Sequence, residues 1–397
     1  MPVEIYADNA ATTKMSQRAI GAMLPYLDQY YANPSSLHAA GRAAAEAIQE
    51  ARVRIACCLG CSPKEILFTS GGSEADNQAI LSAANIGRRT GKKHIISTPV
   101  EHHAVLHTLE KLKKEGFEIQ LLPVDADGCI SAKQAAAAIR PDTALVTVMY
   151  ANNEIGTVFP ISEIGEICRE KGVLFHTDAV QAVGHLPVDV KEAQISMLSL
   201  SAHKFHGPKG IGVLYARQGI PLVRLMEGGG QESGRRAGTE NVPAIMAMAA
   251  ALEEACHHQK EDFAYTASLQ TMLAEGLQKI PNSIQNGSKE HRLPGIVSFC
   301  FEGIDGTSLL LSLDERGIRA SAGSACTSAA ASSSHVLKAI GRPDELARGA
   351  LRLSLCASNT KEEVSEILKA VTEVVSTLRS TSPLWKAKTE GRKNFLL

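Results

Sequence analysis

The residue that first suggests chemistry is Cys326. It sits in the stretch ASAGSACTSAAASSS, among side chains of almost no bulk. Nothing beside it would pack it into a core, so burial is a poor reason for a thiol there. A loop of small residues can instead swing a thiol into a site. No charge adjoins it in sequence, so its neighbours give no cause for a lowered thiol pKa. The competing thiols are Cys57, Cys58 and Cys61. The spacing Cys58-x-x-Cys61 suits redox or zinc chemistry, but no second pair completes a zinc site, which favours structural thiols.

Four other stretches carry reactive groups. SMLSLSAHKFHGPKGIGVLY crowds Ser199, Ser201, His203, Lys204, His206 and Lys209 into a turn between two apolar strands. A lysine desolvated in such a turn can act as a Schiff-base amine, and spacing does not choose between Lys204 and Lys209. In VLFHTDAVQAVG a buried strand delivers Asp178 at its C-terminal end, with Gln181 following. A carboxylate there can keep a pyridine nitrogen protonated, or simply cap a helix. FTSGGSEADNQAI ends a strand in Ser70-Gly71-Gly72-Ser73 and opens a helix. Free N–H groups and the Ser73 hydroxyl can hold a phosphate there, although an ordinary capped turn reads the same way. The lysine of a nucleotide-triphosphate loop is missing.

The fourth stretch is VEHHAVL, where His102 or His103 can stack on a ring and move protons near neutral pH. No other His or Cys cluster has ligand spacing, so no metal centre is expected. A glycine-rich run with paired arginines, GGGQESGRRAGTEN over 228–241, suits close approach to an anion or a surface connector.

These groups need a scaffold. Over 43–252, Ala/Glu/Arg-rich stretches of helical spacing alternate with the β-branched runs EILFTS, KHIIST, TALVTVMY, VLFHTD and GIGVLYA. That alternation predicts an α/β protein with a mostly parallel sheet covered on both faces. Ser62-Pro63-Lys64-Glu65 reads as a capping box opening a short turn. After about residue 253 a long charged helix is expected to reach about residue 280. The strand PGIVSFCF, the helix TSLLLSLDERGI and an amphipathic end then suggest a second, smaller domain. The expected division is 16–260 for the large domain, with 1–15 and 261–397 in the small one. The latter carries a mobile loop at 321–334.

Composition narrows the class. The chain has 397 residues, 44% of them hydrophobic, with 41 Lys plus Arg against 42 Asp plus Glu. Near-zero net charge and 4% aromatics argue against nucleic acid or a membrane surface as the main partner. The longest apolar run, AIMAMAAAL, is about half of the roughly 18 residues a spanning helix needs. The start lacks a basic segment followed by an apolar one, and the nine cysteines have no framework spacing. A cytoplasmic protein of a reducing compartment is expected.

Taken together and in order, the motifs resemble one family, the NifS/IscS-type cysteine desulfurases, and their wording is closest to NifS. The resemblance runs from DNAATT at Asp8 to SPLW near Trp385 through NPSSLHAAG, FTSGGSEADN, EHHAV, ANNEIGT, HTDAVQAVG, SAHKFHGPKG, GRRAGTEN and SAGSACTSA. It implies the aspartate aminotransferase-like architecture known as pyridoxal-phosphate fold type I. A large domain with a seven-stranded, mostly parallel sheet would be joined by a smaller α+β domain.

It also implies pyridoxal 5'-phosphate as cofactor and removal of sulfur from L-cysteine, giving alanine and a persulfide on Cys326. Lys204, rather than Lys209, matches the Schiff-base lysine. Asp178 matches the partner of the pyridine nitrogen, Gln181 the donor to the phenolic oxygen, and His102 the stacking histidine. Gly72, Ser73, Ser201 and His203 match phosphate contacts. Thr239 matches a phosphate contact given by a second subunit, so a homodimer is implied. Asn153, also at the cofactor, and Arg352 match the grip on the substrate carboxylate. The sulfur acceptor would be a protein such as an iron–sulfur scaffold, which Cys326 could contact transiently at its cluster.

Four positions depart from the family wording: Glu227, Ser233, Ala322 and Cys356. Cys356 adds a second thiol, and the tail KAKTEGRKNFLL differs from the usual IscS ending. The rival activity is a selenocysteine lyase. The rival of another class is a non-catalytic assembly platform, against which the intact set of Lys204, His102, Asp178 and Cys326 argues.

Overall fold

The computed structural model describes residues 4–322 and 334–397, so Cys326 and most of its loop lie outside the described residues. Strand β1 (Ile5–Tyr6) is followed by a seven-stranded sheet of β2 (Ile66–Thr69), β3 (His94–Ser97), β4 (Glu118–Leu121), β5 (Thr143–Thr147), β6 (Leu174–Asp178), β7 (Met197–Ser201) and β8 (Gly212–Ala216). Their order across the sheet is β2-β8-β7-β6-β5-β3-β4. The pairs β3–β4, β3–β5, β5–β6 and β6–β7 are parallel, while β8 is antiparallel to both β2 and β7. Since β2 and β7 both oppose β8, they run the same way as β3, β4, β5 and β6. The C-terminal ends of β2, β3, β5, β6 and β7 therefore share one rim, which is where ligands sit in open α/β sheets.

The β-branched runs read from sequence become strands because both faces of the sheet are covered. Ile66–Thr69, Thr143–Thr147 and Met197–Ser201 are buried throughout. Strand β4 had no such signal. It is an edge strand whose ends, Glu118 and Leu121, are exposed, so it needs no apolar run. Ser62 does open a short turn, Pro63–Glu65, with both halves of the capping box present.

A second set of strands follows: β9 (Ser283–Asn286), β10 (Ile296–Phe301) and β12 (Ala350–Ser354) form an antiparallel sheet, while β11 (Ile318–Arg319) pairs in parallel with β1. Their apolar faces pack with Val364, Ile367, Val371 and Val374 of the helix Lys361–Thr381 into a separate core. The helix Val242–Gln278 joins the two cores. Val242 and the residues from Ala244 to Leu252 are buried in the core of the large sheet and its helices, and Leu269, Leu273 and Leu277 belong to the second core. The apolar run near residue 244 and the charged helix expected after residue 253 are thus one helix of 37 residues. No helix among the described residues is long and apolar enough to cross a membrane.

The arginine-paired loop at 228–241 is tied down. Glu232 is buried and takes a bidentate pair from Arg52 at 2.5 and 2.9 Å, and it also accepts from the Phe68 amide at 3.0 Å. Arg236 is held by Glu74 at 3.0 Å. The run is therefore neither a loose connector nor a set of uncommitted arginines. Removing one partner of a buried pair strands the other charge, at a typical cost of about 3–5 kcal/mol. Glu232→Ala should therefore lower the thermal unfolding midpoint by several degrees. Removing Glu118 from its exposed pair with Arg140 should leave it nearly unchanged.

Candidate active site

Several of the candidate residues emerge at the shared rim of the sheet. Strand β2 runs into Gly71 and Gly72, which open the helix Gly72–Thr90, so Ser73 lies in that helix's first turn. A side chain at position 72 would press its Cβ to 2.6 Å from Val180 Cγ2, so a residue other than glycine would have to push the Val180 side chain aside. Strand β3 leads to His102, the N-cap of the helix His103–Lys114, whose Nδ1 accepts from the Ala104 amide at 3.1 Å. This capping bond leaves Nε2 as the ring's proton-bearing nitrogen. Strand β6 ends at Asp178, and β7 ends at Ser201 before the short turn Ala202–Lys204.

These ends surround a cavity of about 210 Å³. Gly72, Ser73, His102, Asn153, Asp178, Gln181, Ser201, His203, Lys204 and Arg352 all line it. The structure separates the members of two ambiguous pairs by position. Lys204 faces the cavity while Lys209 is exposed, and His102 lines it while His103 does not. Thr239 is not among the lining residues. It is exposed and borders a separate cleft with Gly238, Asn241 and Arg236. Cys326 lies outside the described residues. Cys356 is buried, its thiol 3.1 Å from Ser358 Oγ, and it borders a different cavity. Of the competing thiols, Cys58 hydrogen-bonds to Cys256 rather than to Cys61, and burial pushes the Cys61 thiol up to about 12. Both are protonated, structural groups.

The N-terminal segment supplies groups that spacing alone did not reveal. Lys204 Nζ donates to the carbonyls of Ala10 and Ala11 at 2.6 and 2.8 Å, and Gln181 Nε2 donates to Ala10 at 2.9 Å. Arg352 is almost fully buried; it pairs with Asp8 at 2.7 Å and donates to the Asn153 carbonyl at 3.0 Å. Its Nε has no partner among the described residues. An incoming carboxylate would satisfy that donor, and the planar fork suits two oxygens. DNAATT, the first motif of the resemblance, was the sequence signal for this segment.

Asp76 was also missed. It stands one helical turn after Gly72 on the same helix, so it faces the same cavity. Ligand atoms of Asp76, His102 and Asp178 lie within 4.8 Å of one another. Burial first, and then Asp178, push the Asp76 carboxyl well above the usual range. Asp178 is raised by burial too, but His102, the Val180 amide at 3.0 Å and Lys204 hold it back. Asp76 is therefore the protonated member and Asp178 the one that ionises. His176 beneath them is no counter-ion, although it lies 3.6 Å from Asp76. Burial pushes it down to about 3, and its ring is held by Thr147 and Ser199 at 2.8 and 3.0 Å. Burial also lowers His102, with Lys204 and His335 adding to the shift against the opposing pull of Asp178.

This donor set fits pyridoxal 5'-phosphate. An ionisable carboxylate stands on the cavity floor to face a pyridinium. A neutral imidazole stands beside it, an amine is at hand, and hydroxyls at a helix start suit a phosphate.

Comparison with known proteins agrees. A family model described as aminotransferase class-V matches residues 5–367. The chain is 50% identical over 380 residues to the cysteine desulfurase IscS of Methanosarcina thermophila, covering 96% of this chain and 94% of that one. It superposes on a NifS-like protein with a TM-score of 0.89 at 38% identity, covering 95% of this chain and all of the other. A structure described as SspA in complex with cysteine superposes with a TM-score of 0.79 at 38% identity, over 90% of this chain and all of that one.

The buried carboxyl of Glu101, next to His102, generates a pH prediction. Its Oε1 accepts from Thr98 and the Met149 amide at 2.7 and 3.0 Å, while Oε2 has no partner, and burial pushes it up to about 8. Between the ordinary carboxylate range and about 8 the native state binds a proton that the unfolded chain releases. Stability therefore falls as pH rises through that window, by at most about 1.4 kcal/mol per unit. Glu101→Gln should remove this slope, and its unfolding midpoint should gain most over the wild type near pH 8. Equal slopes in the two proteins would contradict the assignment.

Proposed function

Because the chain belongs to the aminotransferase class-V family and matches cysteine desulfurases along nearly its whole length, it is a cysteine desulfurase that uses pyridoxal 5'-phosphate, and we propose the following division of labour among its residues. The observation that carries it is the convergence of Lys204, Asp178, His102 and Arg352 on one cavity. The cofactor, when bound, supplies an electron sink that weakens the bond between the substrate's β-carbon and its sulfur.

Asp178 holds the proton on the pyridine nitrogen. His102, neutral and proton-bearing at Nε2, would stack on the cofactor ring and could move a proton beside it. Ser73, the amides of the helix start, Ser201 and His203 take the phosphate, and Gln181 keeps one amide hydrogen for the phenolic oxygen. Burial, with Lys204 and Lys209 nearby, pushes His203 down to about 4. Arg352 and Asn153 hold the carboxylate of L-cysteine. Lys204 Nζ anchors the cofactor, then takes the α-proton and later returns one. The Cys326 thiolate attacks the substrate sulfur. The sulfur–carbon bond breaks as the sulfur–sulfur bond forms, so cysteine and the enzyme thiol become alanine and an enzyme persulfide.

The sulfur then passes to an acceptor protein, for which an iron–sulfur scaffold is the proposed type. A homodimer is supported by Thr239, exposed and outside its own cavity, and by the run of exposed Leu24, Leu27, Tyr30, Tyr31 and Leu37. The division into 16–260 and into 1–15 with 261–397 is supported by the second apolar core, with the helix Val242–Gln278 crossing the boundary. A cytoplasmic setting is supported by eight unpaired thiols among the described residues.

Two substitutions test the roles. Cys326→Ala should keep the absorbance of the lysine-linked cofactor yet yield neither persulfide nor the rapid release of alanine. Lys204→Ala should lose that absorbance. Wild-type turnover in the first, or an unchanged spectrum in the second, would overturn the role concerned.

A further inference from the structure

We propose that His103, His107 and His335 form a binding site for one divalent transition-metal ion on the outer side of the active-site helix. His103 and His107 stand four residues apart on the helix His103–Lys114, so they share a face. Their ring centroids lie 4.9 Å apart. His335, which opens the helix His335–Ala339, brings its ring to 4.7 Å from that of His103. In a tetrahedral site with metal–nitrogen bonds of about 2.0–2.1 Å, ring centres of two ligating imidazoles stand roughly 5 Å apart. Both pairs that include His103 thus stand at ligand spacing. The ring nitrogens do not yet converge as closely as those of the pocket trio. The Glu101 carbonyl holds the His335 ring, so convergence rests on turning the His103 and His107 rings about χ2, a broad torsion for histidine.

The tautomer is prepared as well. His335 Nε2 lies 3.0 Å from the Glu101 carbonyl, to which it can only donate, so Nδ1 carries the lone pair. A ligating histidine whose other nitrogen donates to a backbone carbonyl is the usual outer-shell arrangement of metal sites. The rings of His103 and His107 make no hydrogen bond to a described residue. Burial, followed by His335, His107 and His102, lowers His103, which favours the neutral form that binds metal. An all-imidazole set suits Zn²⁺, Co²⁺, Ni²⁺ or Cu²⁺ rather than Mg²⁺ or Ca²⁺. His107 is exposed, so water can complete the coordination. Such an ion would link the helix that begins at His102 to the helix that follows residue 333.

The test uses cofactor-loaded protein, in which the cofactor fills the cavity that holds Asp76, His102 and Asp178. Zn²⁺ is titrated calorimetrically into the Cys326→Ser protein and into the same protein carrying His107→Gln or His335→Gln. Co²⁺ then reports the ligand type. The expected result is one Zn²⁺ per protomer, at least about tenfold weaker in each histidine variant. Co²⁺ should show d–d bands without thiolate charge transfer. Zn²⁺ should also raise the unfolding midpoint, an effect lost in His107→Gln. His107→Gln with Cys326 intact should keep metal-free desulfurase activity, which shows that it folds. Unaltered Zn²⁺ affinity in both histidine variants, absence of stoichiometric binding, or a thiolate–cobalt band would each overturn the proposal.

Discussion

The structure turns on a carboxylate that must ionise while almost out of reach of water. Asp178 ends a buried strand at the floor of the cavity and is 6% exposed. Burying a lone carboxylate is costly unless positive charge or hydrogen bonds meet it. The fold supplies the Val180 amide, the proximity of Lys204 and His102, and a cavity open for a cationic ring. Around Asp178 the other acid-base groups are kept neutral. Asp76 holds its proton, His176 is locked between two hydroxyls, and His102 spends Nδ1 on capping a helix. Asp178 is thereby left as the cavity carboxylate that can ionise opposite a cationic ring.

Chain order explains how such distant residues meet. Five strands deliver their C-terminal ends to one rim, and the hairpin of β7 and β8 folds Lys204 back over it. The N-terminal segment closes the remaining side. It reaches Lys204 through Ala10 and Ala11 and Arg352 through Asp8, while β1 pairs with β11. Because Arg352 comes from β12 beside the second core, the residue proposed to hold the substrate and those proposed to hold the cofactor belong to different packing units. The relative placement of those units sets the distance across which cysteine is held.

The parts that sequence made legible were local. β-branched runs marked the buried strands, Ser62 marked its turn, and the order of motifs marked the family. The choice of Lys204 over Lys209 came from that order alone. What escaped depended on long-range packing. Asp76 looked like any polar helix residue, because only the proximity of Asp178 makes it unusual. The exposed strand β4 had no apolar run to betray it. The ring contact of His335 with His103 joins two turns from opposite ends of the chain, so neither neighbourhood announces it. Cys326 stood out by its surroundings in sequence and lies outside the described residues.

The central claim is that Asp178 exists to keep the cofactor's pyridine nitrogen protonated. The most direct measurement is the nitrogen-15 NMR shift of that atom in enzyme loaded with labelled cofactor, for the wild type and for Asp178→Asn. The account predicts a pyridinium shift across neutral pH in the wild type and an unprotonated pyridine in the variant. An unprotonated nitrogen in the wild type, or a pyridinium that survives in Asp178→Asn, would contradict it.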